Sequence, residues 1–154
     1  MDNFIFYVVV PDVLNFPFEG LSLQERRFRL RDTLKSKAAQ WESVRLRGAF
    51  FLDYLESLAK LINSSPAFEE CFYESSPANM LPHGRIGDYN PMFGYFEPAD
   101  VLKYDQAFRD LAPEAVQQFE EADADGVHSL VWRACSSTFS EAASRRAAIA
   151  IDHS

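Results

Sequence analysis

Positive charge is nearly absent from the middle of this chain. Between Pro66 and Trp132 only Arg85, Lys103 and Arg109 oppose thirteen carboxylates, a net of −10 against −8 for all 154 residues. A surface this acidic repels nucleic acid and anionic membrane and attracts basic proteins. Long apolar runs are missing as well. The longest cover residues 4–10 and 48–52, far short of the roughly 20 residues of a membrane-spanning helix. Met1 is followed by Asp2 and Asn3, with no positive segment and no small-residue cleavage site, so no secretory signal is expected. Cys71 and Cys135 are the only cysteines and share no motif spacing; they read as buried free thiols in a reducing cytoplasm. His83, His128 and His153 lack metal-ligand spacing and read as exposed polar residues. No Gly-x-Ser-x-Gly elbow occurs, and Gly84 and Gly87 fit neither the P-loop nor the dinucleotide fingerprint. No catalytic residue, cofactor or metal is assigned, and repeats and low-complexity tracts are absent.

What is present is the composition of a globular domain. Apolar residues make up 47% and aromatics 14% of the chain, with fourteen Phe, enough for one domain over residues 1–154 with a core built on rings. Asn3 to Val10 (NFIFYVVV) reads as a strand buried on both faces, ended by Pro11. A loop follows to Gly20, and then Ser22 and Glu25 have the spacing of a capping box. The helix behind it runs from Leu23 to Lys37, with Leu23, Leu30, Leu34 and Ala38 inside. Trp41, Val44, Gly48, Phe51, Leu52, Leu55, Leu58, Ala59 and Ile62 recur at three- and four-residue steps, which predicts one long central helix. Gly48 would cost that helix about 1 kcal/mol, so another element is expected to pack closely there.

Further along, residues 67–73 form a short helix and residues 74–91 an irregular stretch rich in Pro, Gly and Ser. Met92 to Phe96 reads as a strand, and Pro98 and Pro113 each open a helix. A last helix begins at Val127, and Ala147 to Ile151 reads as a closing strand. The expected fold is helix-rich α/β (α+β), with a small sheet of about three short strands flanked by several helices.

Glu121 to Gly126 copies the start of a calcium-binding loop, but the twelfth position holds Trp132 where a bidentate carboxylate is required. A solvated turn that caps the next helix explains it better. The cluster Arg26, Arg27, Arg29, Arg31, Lys35 and Lys37 reads as a solvated helix face that pairs with the acidic half of the chain. The residues singled out for partner binding are Glu120, Glu121, Asp123 and Asp125, with Tyr89 and Phe93 (and Tyr73) as exposed aromatic anchors.

Met92 to Val101 (MFGYFEPADV) resembles the YfbM-like family of small bacterial proteins, in which a Gly-Tyr strand leads into a Leu-Thr-Pro-Glu-Glu-Val helix start. The opening strand and residues 139–151 (FSEAASRRAAIAI) are similar to that family's beginning and end. The resemblance implies an α/β fold and supplies no catalytic residues; some relatives resemble immunity proteins of toxin systems. The functional expectation is therefore a cytoplasmic interaction protein, an immunity or antitoxin-like inhibitor, monomeric or dimeric. Its partner would be a basic protein such as a toxin domain, with neither nucleic acid nor membrane involved. The alternatives are a small-molecule-binding regulatory domain, or an enzyme whose site lies in residues 74–91, where His83, Arg85 and Asp88 cluster.

Overall fold

The first strand, β1 (Asp2–Val9), is apolar on both faces, and the fold covers both. Strand geometry sends Phe4, Phe6 and Val8 to one side and Tyr7 and Val9 to the other. The structure, a computed structural model, describes residues 2–81 and 93–154. Its sheet is antiparallel with four strands in the order β2-β1-β4-β3, where β2 is Ala39–Leu46, β3 Phe93–Phe96 and β4 Ala148–His153. Helix α1 (Leu23–Lys37) covers one face. On the other lie α2 (Gly48–Leu61), α3 (Ala67–Tyr73), α4 (Pro98–Arg109), α5 (Pro113–Glu120) and α6 (Val127–Ser144).

The larger core joins the even positions of β1 and Ile149 and Ile151 of β4 to the five-helix layer. It is indeed built on rings. Phe68 alone has Phe72, Phe96, Tyr104, Phe108 and Phe139 around it, with centroids 5.0–5.9 Å away. Each buried ring contributes about 1.5–3 kcal/mol by leaving water, and each good ring pair about 0.5–1.5 kcal/mol more. The smaller core lies under α1, where Leu30 and Leu34 meet Tyr7, Val9, Phe93, Ala148 and Ala150. The capping box at the start of α1 is formed in both directions, Ser22 N donating to Glu25 and Glu25 N to Ser22 Oγ. Leu23, expected inside, is exposed. Cys135 is buried and Cys71 partly so, both as free thiols. Among the described residues no helix is long and apolar enough to cross a membrane.

The long helix expected from Trp41 to Ile62 is two elements. Residues 39–46 pair with β1 as the fourth strand, and the helix begins only at Gly48. A bulge is what disguised the strand. Phe6 faces Glu42 while Tyr7 faces Gln40, so Trp41 is an extra residue that breaks the two-residue alternation. Val44 then falls three residues after Trp41, as on a helix, although Trp41 is half exposed and Val44 buried. Trp41 is held outside the ladder: its indole N–H donates to Ser137 Oγ at 2.9 Å and the Arg145 guanidinium lies 5.4 Å over its ring. Gly48 opens α2 and carries no interior penalty; the side-chain surroundings of residues 48–50 lie outside the described structure. The bulge, with Glu42 and Arg45, also blunts the open edge of the sheet against strand addition.

Close contact to a glycine does occur, at Gly94. A Cβ there would lie 2.6 Å from the carbonyl carbon and 3.0 Å from the Cα of Phe72. The bare backbone lets α3 rest directly on β3, where Ser75 N donates to the Phe93 carbonyl.

Candidate functional site

The acidic residues at the end of α5 gather around one turn. Pro113 opens α5, Phe119 is its buried side chain, and Glu121 closes it. Gly126 adopts a left-handed φ of +71° with nothing within 4 Å of a Cβ, so backbone conformation alone calls for glycine. Gly126 has no side chain to cap α6, and Asp123 does so from three residues earlier. Its carboxylate accepts from the Val127 amide at 3.2 Å and the His128 amide at 3.3 Å. The Tyr54 hydroxyl donates to it from α2 at 3.4 Å, and His128 Nδ1 lies 3.3 Å away. Burial alone would raise the Asp123 carboxyl, but the His128 amide and ring and the Val127 amide outweigh it and hold it below its ordinary value. Burial and the Asp123 carboxylate together push the Tyr54 hydroxyl up.

The expected capping turn is thus present, and Asp123 is committed to it. Glu120 is half-buried and accepts from Ser129 Oγ at 2.7 Å, while Glu121 accepts from Gln117 at 3.1 Å and is exposed, as is Asp125. Beside them a shallow, open groove of about 550 Å³ is lined by Leu111, Pro113, Val116, Gln117, Glu120 and Glu121 and by Ser129 of α6.

His128 is not the exposed residue expected. Its ring is wedged between Tyr54 and Phe119, with centroids 4.7 and 4.8 Å away. His153 likewise stacks on Phe4 at 4.8 Å. Phe93 is corrected as well: it is buried in the core beneath α1 and presents no surface anchor. Tyr73 is half-buried, and Tyr89, His83, Arg85 and Asp88 lie outside the described residues. Sequence reasoning missed Tyr54 and His128 as partners of the turn, since they are 74 residues apart and meet only in the tertiary fold. It also missed Phe28, which is 73% exposed on α1. A signal existed there, because Phe28 is about 200° around the helix from Leu30.

Among the described residues, the carboxylate that the α1 arginines pair with is Asp152, outside the acidic segment. Arg31 grips the buried Asp152 carboxylate at 2.7 and 3.2 Å, Arg27 reaches it at 3.4 Å, and both donate to the His153 carbonyl. Burial pulls the Arg27 guanidinium down to about 10, against the pull of Asp152. Arg26 donates to the Leu21 and Met80 carbonyls and lies over Phe18, and Arg29 lies over Phe16. α1 sits on one face of the sheet, and α4, α5 and α6 with their carboxylates sit on the other. α1 carries six cations and two carboxylates. On the opposite side Asp110, Glu114, Glu121 and Asp125 are exposed.

No protein-family model, curated protein or solved structure matches the chain.

Proposed function

We propose that this chain is an interaction domain of the immunity or inhibitor type, which binds a basic protein through the acidic side of its five-helix layer. The observation that carries this reading is the partition of charge across the sheet. Six of the chain's fifteen lysines and arginines are on α1, and two of those are spent on Asp152. The acidic side therefore keeps a net negative field, partly offset by Arg109 on Asp105 and Arg145 on Glu141, that steers a basic partner and speeds its approach. The α5–α6 groove suits a lysine or arginine from that partner: the aliphatic stem lies on Leu111, Pro113 and Val116, and the charged head meets Glu120 and Glu121. The resemblance of residues 92–101 to the YfbM-like family, some of whose relatives resemble immunity proteins, agrees with this reading.

The first experiment is capture of partners on the tagged chain at low salt, read by mass spectrometry. One stoichiometric basic protein, released at high salt, is the expected result. The second is the triple variant Glu120→Lys, Glu121→Lys and Asp125→Lys, which spares Asp123 because that residue holds α6. Its association rate with the captured protein should fall tenfold or more, with a flatter salt dependence. An unchanged rate reduces the acidic side to a solubility device.

A further inference from the structure

The turn ahead of α6 holds the one Asp-Gly pair of the chain, Asp125-Gly126. Both residues are exposed, and among the described residues the Asp125 carboxylate accepts no hydrogen bond. Gly126 has no side chain to shield its own amide, and nothing lies within 4 Å of where a Cβ would stand. An aspartyl side chain so placed can close on the next backbone nitrogen. We infer that Asp125-Gly126 is a site of spontaneous isoaspartate formation, and that the fold confines the reaction to this turn. The Gly126 nitrogen attacks Cγ of Asp125; the new N–Cγ bond closes a succinimide ring as the amide proton and the carboxyl hydroxyl leave together as water. Water then adds to either ring carbonyl. Rupture of the Cγ–N bond restores aspartate, whereas rupture of the original peptide bond leaves Gly126 joined through Cγ. One water leaves and one returns, so the mass is unchanged and no oxidant or reductant is needed.

The fold, as well as the glycine, singles out Asp125. Asp123 is followed by Ala124, and its carboxylate is held by the Val127 and His128 amides and the Tyr54 hydroxyl. Asp152 is buried in β4 and clamped by Arg27 and Arg31. Asn63 is the strongest rival, since it is exposed and a side-chain amide closes faster than a carboxylate. The nitrogen it needs belongs to Ser64, which donates to the Ala59 carbonyl at 2.8 Å and is held away from attack. The product has a main chain one atom longer between Asp125 and Gly126, inside the span across which Asp123 reaches Val127 and His128. Isomerisation therefore loosens the cap of α6 and displaces one carboxylate of the acidic side. The inference does not rest on the basic-partner reading.

Ageing of the full chain at physiological temperature and neutral pH tests it, with peptide mapping by mass spectrometry and labelling by an isoaspartyl methyltransferase. A second peptide of unchanged mass spanning Asp125-Gly126 is the expected product, and it should carry the methyl label. It should form about tenfold or more ahead of conversion at Asn63 and every other position, since positions held by hydrogen bonds react only when they open locally. Asp125→Glu, which keeps the charge but cannot close the same ring, should abolish the label in this peptide. In urea the lead over Asn63 should disappear. The isomerised fraction, once separated, should show faster hydrogen exchange at the Val127 and His128 amides. Conversion that appears first at another position of the folded chain overturns the inference. A lead over Asn63 that persists unchanged in urea overturns the role of the fold, and unchanged exchange at the two amides overturns the link to α6.

Discussion

Replacing Gly94 by alanine adds one carbon where α3 touches β3. That carbon would sit 2.6 Å from the Phe72 carbonyl carbon, 3.0 Å from its Cα, and closer still to its carbonyl oxygen. All three are backbone atoms, so no side chain can rotate away and the helix must move about 1 Å, since ordinary carbon contacts begin near 3.5 Å. Phe68 and Phe72 move with α3, and both pack on Phe96. Overpacking of this kind costs about 1–3 kcal/mol, and the backbone origin places it at the upper end. Loss of glycine freedom in the unfolded chain returns about 0.4–1 kcal/mol. The net is about 2 kcal/mol, equivalent to roughly 4–8 °C in Tm for a chain of this size. Urea unfolding followed by circular dichroism should show a lower midpoint with an unchanged slope. A midpoint within error of the wild type would refute the close approach of α3 to β3.

Asp123→Ala should destabilise the protein at neutral pH and deprotect the Val127 and His128 amides in hydrogen exchange. Because the folded Asp123 carboxyl lies below its ordinary value, its contribution is present at neutral pH and fades as pH falls below about 4. The variant should therefore converge with the wild type in acid, and a constant gap from neutral pH to pH 2 would dismiss the capping role. Asp152→Ala strips Arg27 and Arg31 of their shared buried carboxylate and should cost about 3–5 kcal/mol, with Asp152→Asn losing less; equal stability of all three proteins by urea midpoint would count against the clamp. Burial pushes the Tyr104 hydroxyl up to about 12, so the folded state resists its ionisation while the unfolded chain titrates near its ordinary value. Stability should accordingly be complete below about pH 10 and fall as pH rises toward 12, more gently in Tyr104→Phe. Identical alkaline slopes in the two proteins would place that hydroxyl in solvent.

Elements whose signal is local were legible. Ser22 and Glu25 announced the start of α1, Pro98 and Pro113 opened their helices, and the doubly apolar β1 anticipated a sheet covered on both faces. Strand β2 was hidden because its bulge at Trp41 replaced the period of two with steps that imitate a helix. Part of the site was legible as well. The turn at Asp123 was recognised as a cap, yet its partners Tyr54 and His128 were not, because nothing local joins them. Phe93 looked like a surface anchor and is core, since only the pairing with β4 decides which way a strand residue points.

The sequence by itself determined which helices form, how acidic residues 66–132 are, and that the core is aromatic, because propensity, charge and capping depend on residues a few positions apart. Tertiary structure alone decided where those charges lie. α1 packed on the face of the sheet away from α4, α5 and α6, and Arg27 and Arg31 met Asp152 of β4. Which face a helix covers is set by the parity of distant strands and by the order in which they pair, and no local pattern encodes that order.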